Sequence, residues 1–149
     1  MTNRSTARAY VDQAALVLDE AHSLHRRGAW NLVVRRCQEA VQLALKGALR
    51  AVGVEVPRVH DVGGTLRQHT QRFPPHLGEV VPELVSISRR LGRERELAFY
   101  GDEDTDTPPQ ELYGVEDAQR ALADADRALS WAREVLAGLG GPGASGIAQ

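Results

Sequence analysis

Four arginines, Arg89, Arg90, Arg93 and Arg95, crowd into the stretch SISRRLGRERELAFYG. A guanidinium is a planar fork of donors that matches phosphate or carboxylate oxygens, so such a cluster is a candidate binding site for a nucleotide or RNA phosphate. The competing reading is a solvated helix face whose arginines pair with Glu94, Glu96 or the acidic stretch that follows.

Other residues invite chemistry less strongly. His60-Asp61 is the kind of adjacent pair that metal-dependent phosphohydrolases use, with His22 and His25 as conceivable further ligands, but Asp61 also suits a helix N-cap and His60 a turn, so no metal site is expected. Asp102, Asp104 and Asp106 have the odd-position spacing of a calcium loop, yet Thr107 stands where glycine is needed and Tyr113 where a bidentate glutamate is needed. That run reads as a solvated loop. Gly63-Gly64 has no strand before it and no Lys-Ser/Thr pair after it, which rejects a phosphate loop. The single cysteine, Cys37, falls on an apolar stripe and reads as a small core residue rather than a reactive thiol. No cofactor is implied.

The elements that position these residues are helical. From Trp30, the positions Val33, Cys37, Ala40, Val41, Ala44, Ala48 and Leu49 recur at helical spacing as one broad apolar stripe, ended by Gly53 and Pro57. Before it, Val11, Ala14, Ala15, Leu18, Ala21 and Leu24 mark a first helix from Thr6 to about Arg27, closed by Gly28. The short connection makes the two antiparallel. A short helix is expected from an Asp61 cap through Leu66. Leu77, Val80, Leu84, Ile87 and Leu91 then carry a further stripe, with Pro82 near its first turn. Gly101 to Gly114 is an acidic, proline-bearing loop. The last helix, about Val115 to Leu139, spaces Ala118, Leu122, Ala125, Leu129, Ala132 and Leu136 by alternate fours and threes, as near-parallel bundle packing requires.

The expected fold is therefore all-α: an up-and-down bundle of four long helices and one short one, a single domain over residues 1–139, and a flexible Gly-rich tail over 140–149. Eighteen basic against twenty acidic residues argue against a chain-wide nucleic-acid footprint and leave only local patches. No run approaches the ~18 apolar residues of a membrane span, and MTNRSTARAY has no apolar signal-peptide core. A cytoplasmic protein without membrane attachment is expected.

Taken in order, the amphipathic helix with CQEAVQLALKGALRAVG, the PRVHDVGGTL segment, the arginine-rich helix running into RELAFYGDED and the final Ala-rich helix resemble the HEPN family, named for higher eukaryotes and prokaryotes nucleotide-binding. The resemblance covers Ala7 to Leu139. It implies a small bundle that pairs as a homodimer across its fourth helix region, with a cleft where the copies meet. Many members look like RNases or RNA-binding toxins encoded beside a nucleotidyltransferase that acts as antitoxin.

In active RNase members an arginine, four to six intervening residues and a histidine carry the chemistry. Here Arg95 matches the arginine and Tyr100 stands in the histidine's place. Tyrosine titrates near ~10 and histidine near ~6.5, so Tyr100 is a poor general base at neutral pH. The resemblance also makes Tyr100 a conceivable acceptor of a nucleotidyl group, although packing on the bundle end is its expected role. Enzymatic activity is thus not the leading expectation. The reading is a nucleotide- or RNA-binding homodimer, partner of a nucleotidyltransferase in a toxin–antitoxin or defence module, with a metal-independent endoribonuclease toxin using Arg95 and Tyr100 and a dimerising scaffold as alternatives.

Overall fold

A computed structural model of the chain describes residues 3–56, 58 and 62–140. Its α-helices are α1 (Asn3–Arg26), α2 (Trp30–Ala51), α3 (Val62–Gln68), α4 (Pro75–Gly78), α5 (Val81–Tyr100), α6 (Pro109–Leu112) and α7 (Val115–Gly140). Four long helices and a short third one form as the apolar patterning predicts, except that the fourth stripe begins late: Leu77 lies in α4 and Val80 precedes α5, whose second residue is Pro82. Two further one-turn helices, α4 and α6, each begin on a proline, whose fixed φ suits a first turn. Pro57, the His60-Asp61 pair and the tail beyond Gly140 lie outside the described residues.

Helix α2 is the centre of the bundle, packing against α1, α5 and α7. That is why twelve of its 22 residues are buried, more than one stripe supplies. The α1–α2 turn closes through Gly28 at φ +73°, and the antiparallel pair packs tightly at Gly47, where an added Cβ would lie 2.7 Å from Val11 and 3.0 Å from the Ala7 carbonyl oxygen. Burial on α7 takes in the predicted positions Ala118 to Leu136 and adds Ala121, Ala128, Trp131 and Val135. The extra positions exist because α7 meets α1 as well as α2. Trp131 is fully buried, donates from Nε1 to the Leu77 carbonyl at 2.9 Å and packs on Phe73, fixing the α3–α5 connection to the core.

Helix α5 has few direct packing contacts with α7 and is held to it by ion pairs: Arg90 to Asp124 at 2.7 Å and Arg127 to Glu83 at 3.1 Å. Against α2 it is held by buried polar groups, beginning with Asn31 Nδ2, which donates to the Ala98 carbonyl at 3.0 Å. These pairings run α5 antiparallel to both neighbours. No helix is long and apolar enough to cross a membrane among the described residues.

Candidate functional site

The helical repeat divides the four arginines of α5 among three directions, because residues 100° apart per step cannot all share one face. Arg90 points to α7 and is consumed by Asp124. It lines a hollow of about 90 Å³ with Glu94, Tyr113 and Arg120. Arg95 points to α2, where Nη1 donates to Gln38 Oε1 at 2.9 Å and Nε lies 3.7 Å from Glu96. Arg89 and Arg93 point outward, exposed and without a salt bridge or hydrogen bond among the described residues.

Tyr100 shares that outer face with Arg89 and Arg93, at helical spacings of four and seven. It is 59% exposed and packs edge-to-face on Phe99, with ring centroids 4.9 Å apart. The expected packing of Tyr100 on the bundle end is therefore corrected: Gly101, at φ +79°, turns the chain away just beyond it, and among the described residues the ring stays exposed. Arg95 and Tyr100 are five residues apart on one helix, so their side chains diverge by about 140° around its axis. Within one chain they do not converge on a common point.

The ion pairs anticipated for a solvated arginine face form only in part. Glu96 does form an ion pair with Arg95, but Glu94 is taken by Tyr113, whose hydroxyl donates to it at 2.8 Å. Burial, reinforced by Glu94, pushes the Tyr113 hydroxyl well above the ordinary tyrosine range and keeps it protonated. The acidic loop makes no ion pair or hydrogen bond with any of the four arginines among the described residues. Asp102 instead caps its own turn, accepting from the Asp104 amide at 3.0 Å and bridging to Thr107.

Patterning missed the residues on α2 that organise this region. Arg35, nearly buried, donates to the Arg95 carbonyl at 2.7 Å, reaches Glu96 at 3.8 Å and lies over the Phe99 ring at 4.9 Å. Gln38 is buried and donates from Nε2 to Gln42 Oε1 at 3.1 Å. The available signal was that Asn31, Arg35 and Gln38 form a polar line at spacings of four and three beside the apolar stripe of this amphipathic helix. Beside Gln38, a groove of about 130 Å³ opens between α2 and α5, lined by Val41, Gln42, Ser88, Leu91 and Gly92, and by Val62 of α3. No group of three or more His, Cys, Asp or Glu close enough to hold a metal occurs among the described residues.

The family model of the HEPN domain matches residues 7–135, from the first turn of α1 to the last third of α7. The chain belongs to the HEPN domain family. The HEPN arrangement of helices recurs in a crystal structure of TT1696 from Thermus thermophilus, at a TM-score of 0.71 and 24% identity over 87% of this chain and 97% of that one. ST0689, an archaeal HEPN homologue, superposes at a TM-score of 0.67, with 24% identity and the same two coverages. At this identity the likeness speaks to the HEPN fold alone. No curated protein matches the chain in sequence.

Proposed function

We propose that this HEPN domain is a nucleotide- or RNA-binding homodimer that partners a nucleotidyltransferase in a toxin–antitoxin or defence module. One observation carries the binding reading: Arg89 and Arg93 are exposed, unpaired among the described residues, and share a helix face with the exposed ring of Tyr100. Cations that track a backbone beside an aromatic ring on which a base can stack are the two parts of a single-stranded nucleic-acid surface. Family membership supports pairing of two copies, which would double the cationic surface. The nucleotidyltransferase partnership rests on the family resemblance alone.

Binding of single-stranded RNA by purified protein, followed against salt, tests the reading. Salt-sensitive affinity that falls in the double variant Arg89→Ala, Arg93→Ala supports it, and salt-independent or absent binding overturns it. A ribonuclease would need Arg95 to leave Gln38 and Glu96 for a scissile phosphate, with Tyr100 supplied from another direction. RNA cleavage in EDTA by wild type, lost in Arg95→Ala and Tyr100→Phe, would establish that alternative. Size-exclusion with light scattering reads the oligomeric state, and a monomer across the working concentration range would remove the homodimer.

A further inference from the structure

Phe99 is 46% exposed, yet its ring is held on two sides. The Arg35 guanidinium lies over it, 4.9 Å from the centroid, and the Tyr100 ring meets it at 82° with centroids 4.9 Å apart. Arg35 is itself fixed. Only 14% of its side chain is exposed, Nη1 donates to the Arg95 carbonyl at 2.7 Å, and Glu39 and Glu96 lie 3.5 Å and 3.8 Å away. Inside α5 that carbonyl already has the residue 99 amide as its helical partner, so continuing the helix does not require a guanidinium there.

Asn31, one turn before Arg35 on α2 and buried, donates to the Ala98 carbonyl at 3.0 Å. Two polar side chains of α2 thus clamp the last turn of α5, and that turn carries the two exposed rings. Taking an amide and a guanidinium out of water has a desolvation cost that these bonds offset, and the result is a fixed end to the helix. The surroundings of the rings are charged. Arg95 stands one turn before Phe99, with Glu96 beside it and Arg93 exposed and unpaired among the described residues. The core of a protein–protein contact is depleted of charge, whereas rings among cations suit a strand whose bases stack while its phosphates meet arginine.

We infer that Phe99 joins Tyr100 as a stacking platform for the bases of a single RNA strand, and that Arg35 is a positioning residue that holds the Phe99 ring without touching the strand. The inference rests on the nucleic-acid reading above and adds these two residues to it. Every base has a π-face, so the platform tolerates any sequence. Arg35 is consumed by Glu39, Glu96 and the Arg95 carbonyl, so it releases no counterion when RNA binds. Its part is to stack its planar cation on the ring.

A short uridylate strand and an abasic strand with the same number of phosphates, titrated against wild type, Phe99→Leu, Phe99→Trp and Arg35→Gln, test this. Wild type is expected to prefer uridylate by more than about tenfold. Phe99→Leu is expected to weaken uridylate binding by about tenfold while leaving the abasic strand and the log–log salt slope unchanged, and Phe99→Trp, which keeps a π-face, to restore it. Arg35→Gln retains a donor for the Arg95 carbonyl but loses the planar cation, and is expected to weaken uridylate alone by about threefold. Equal wild-type affinity for the two strands overturns the platform and leaves phosphate binding standing. No binding of either strand overturns both readings. Weaker abasic binding by Phe99→Leu, or a changed oligomeric state in light scattering, shows that the ring serves the fold or a second copy and overturns the platform. Unchanged uridylate affinity in Arg35→Gln, or a flatter salt slope, overturns the positioning role.

Discussion

Arg95 Nη1 donates to Gln38 Oε1 at 2.9 Å, and Gln38 is buried while Arg95 remains partly in solvent. The bond ties α5 to the central helix at the level of the candidate site. Arg95→Ala leaves the Gln38 acceptor without its charged donor, and the expected loss is about 1–2 kcal/mol in urea unfolding. Arg95→Lys should recover little of it, because a flexible ammonium does not reproduce the planar donor. Wild-type stability in both variants would show that water replaces the guanidinium without cost.

Arg89 and Arg93 are exposed and unpaired among the described residues, so their removal should leave the fold alone. Each is expected to change Tm by less than about 1 °C as alanine, since surface substitutions shift stability by at most a few tenths of a kcal/mol. Their effect belongs to binding: the log–log salt slope for single-stranded RNA should flatten by about 0.7 for each arginine removed. An unchanged slope in the double variant would place the RNA elsewhere on the surface.

Two glycines are held by geometry. Gly101 sits at φ +79°, where a Cβ would fall 2.3 Å from the Thr107 carbonyl oxygen and 2.9 Å from the Pro109 nitrogen. Gly101→Ala is expected to cost more than about 2 kcal/mol and to loosen the 102–107 turn. Gly47→Ala should cost about 1–3 kcal/mol by forcing α1 and α2 apart at Val11 and Ala7. Thermal unfolding of the two variants beside wild type reads both losses, and a wild-type Tm in either would contradict the close approach at that glycine.

Burial pushes the Cys37 thiol up from an ordinary 9.0 to about 12, with Asp126 and Asp124 adding to it. The folded chain then holds this proton more tightly than the unfolded chain. Its contribution to stability is whole below about 9 and declines as pH rises towards about 12. The thiol should be inert to a chromogenic disulfide reagent at neutral pH and react at the rate of unfolding in denaturant. Rapid labelling of native protein would contradict its burial.

The helices were legible because burial follows a local rule. Val11 to Leu24, Trp30 to Leu49 and Ala118 to Leu136 repeat at helical spacing, and Gly28, Gly53 and Pro82 punctuate them where backbone chemistry requires. The candidate site was legible only as a composition. Arg89, Arg90, Arg93 and Arg95 read as one cluster in the chain, whereas their directions depend on which neighbour each step of α5 faces. Asp124 lies 34 residues from Arg90, and Gln38 lies 57 from Arg95.

Sequence alone thus determined an all-α bundle, its antiparallel first pair, its core stripes and its HEPN likeness, all of which rest on periodicity, short connections and motif order. Tertiary packing decided that α2 is buried on more than one face, that Arg90 and Arg95 are consumed by partners while Arg89 and Arg93 stay free among the described residues, and that Tyr100 is exposed. The physical reason is that helix periodicity is a property of neighbours along the chain. The fate of a charge depends on what a distant helix brings within hydrogen-bonding range of it.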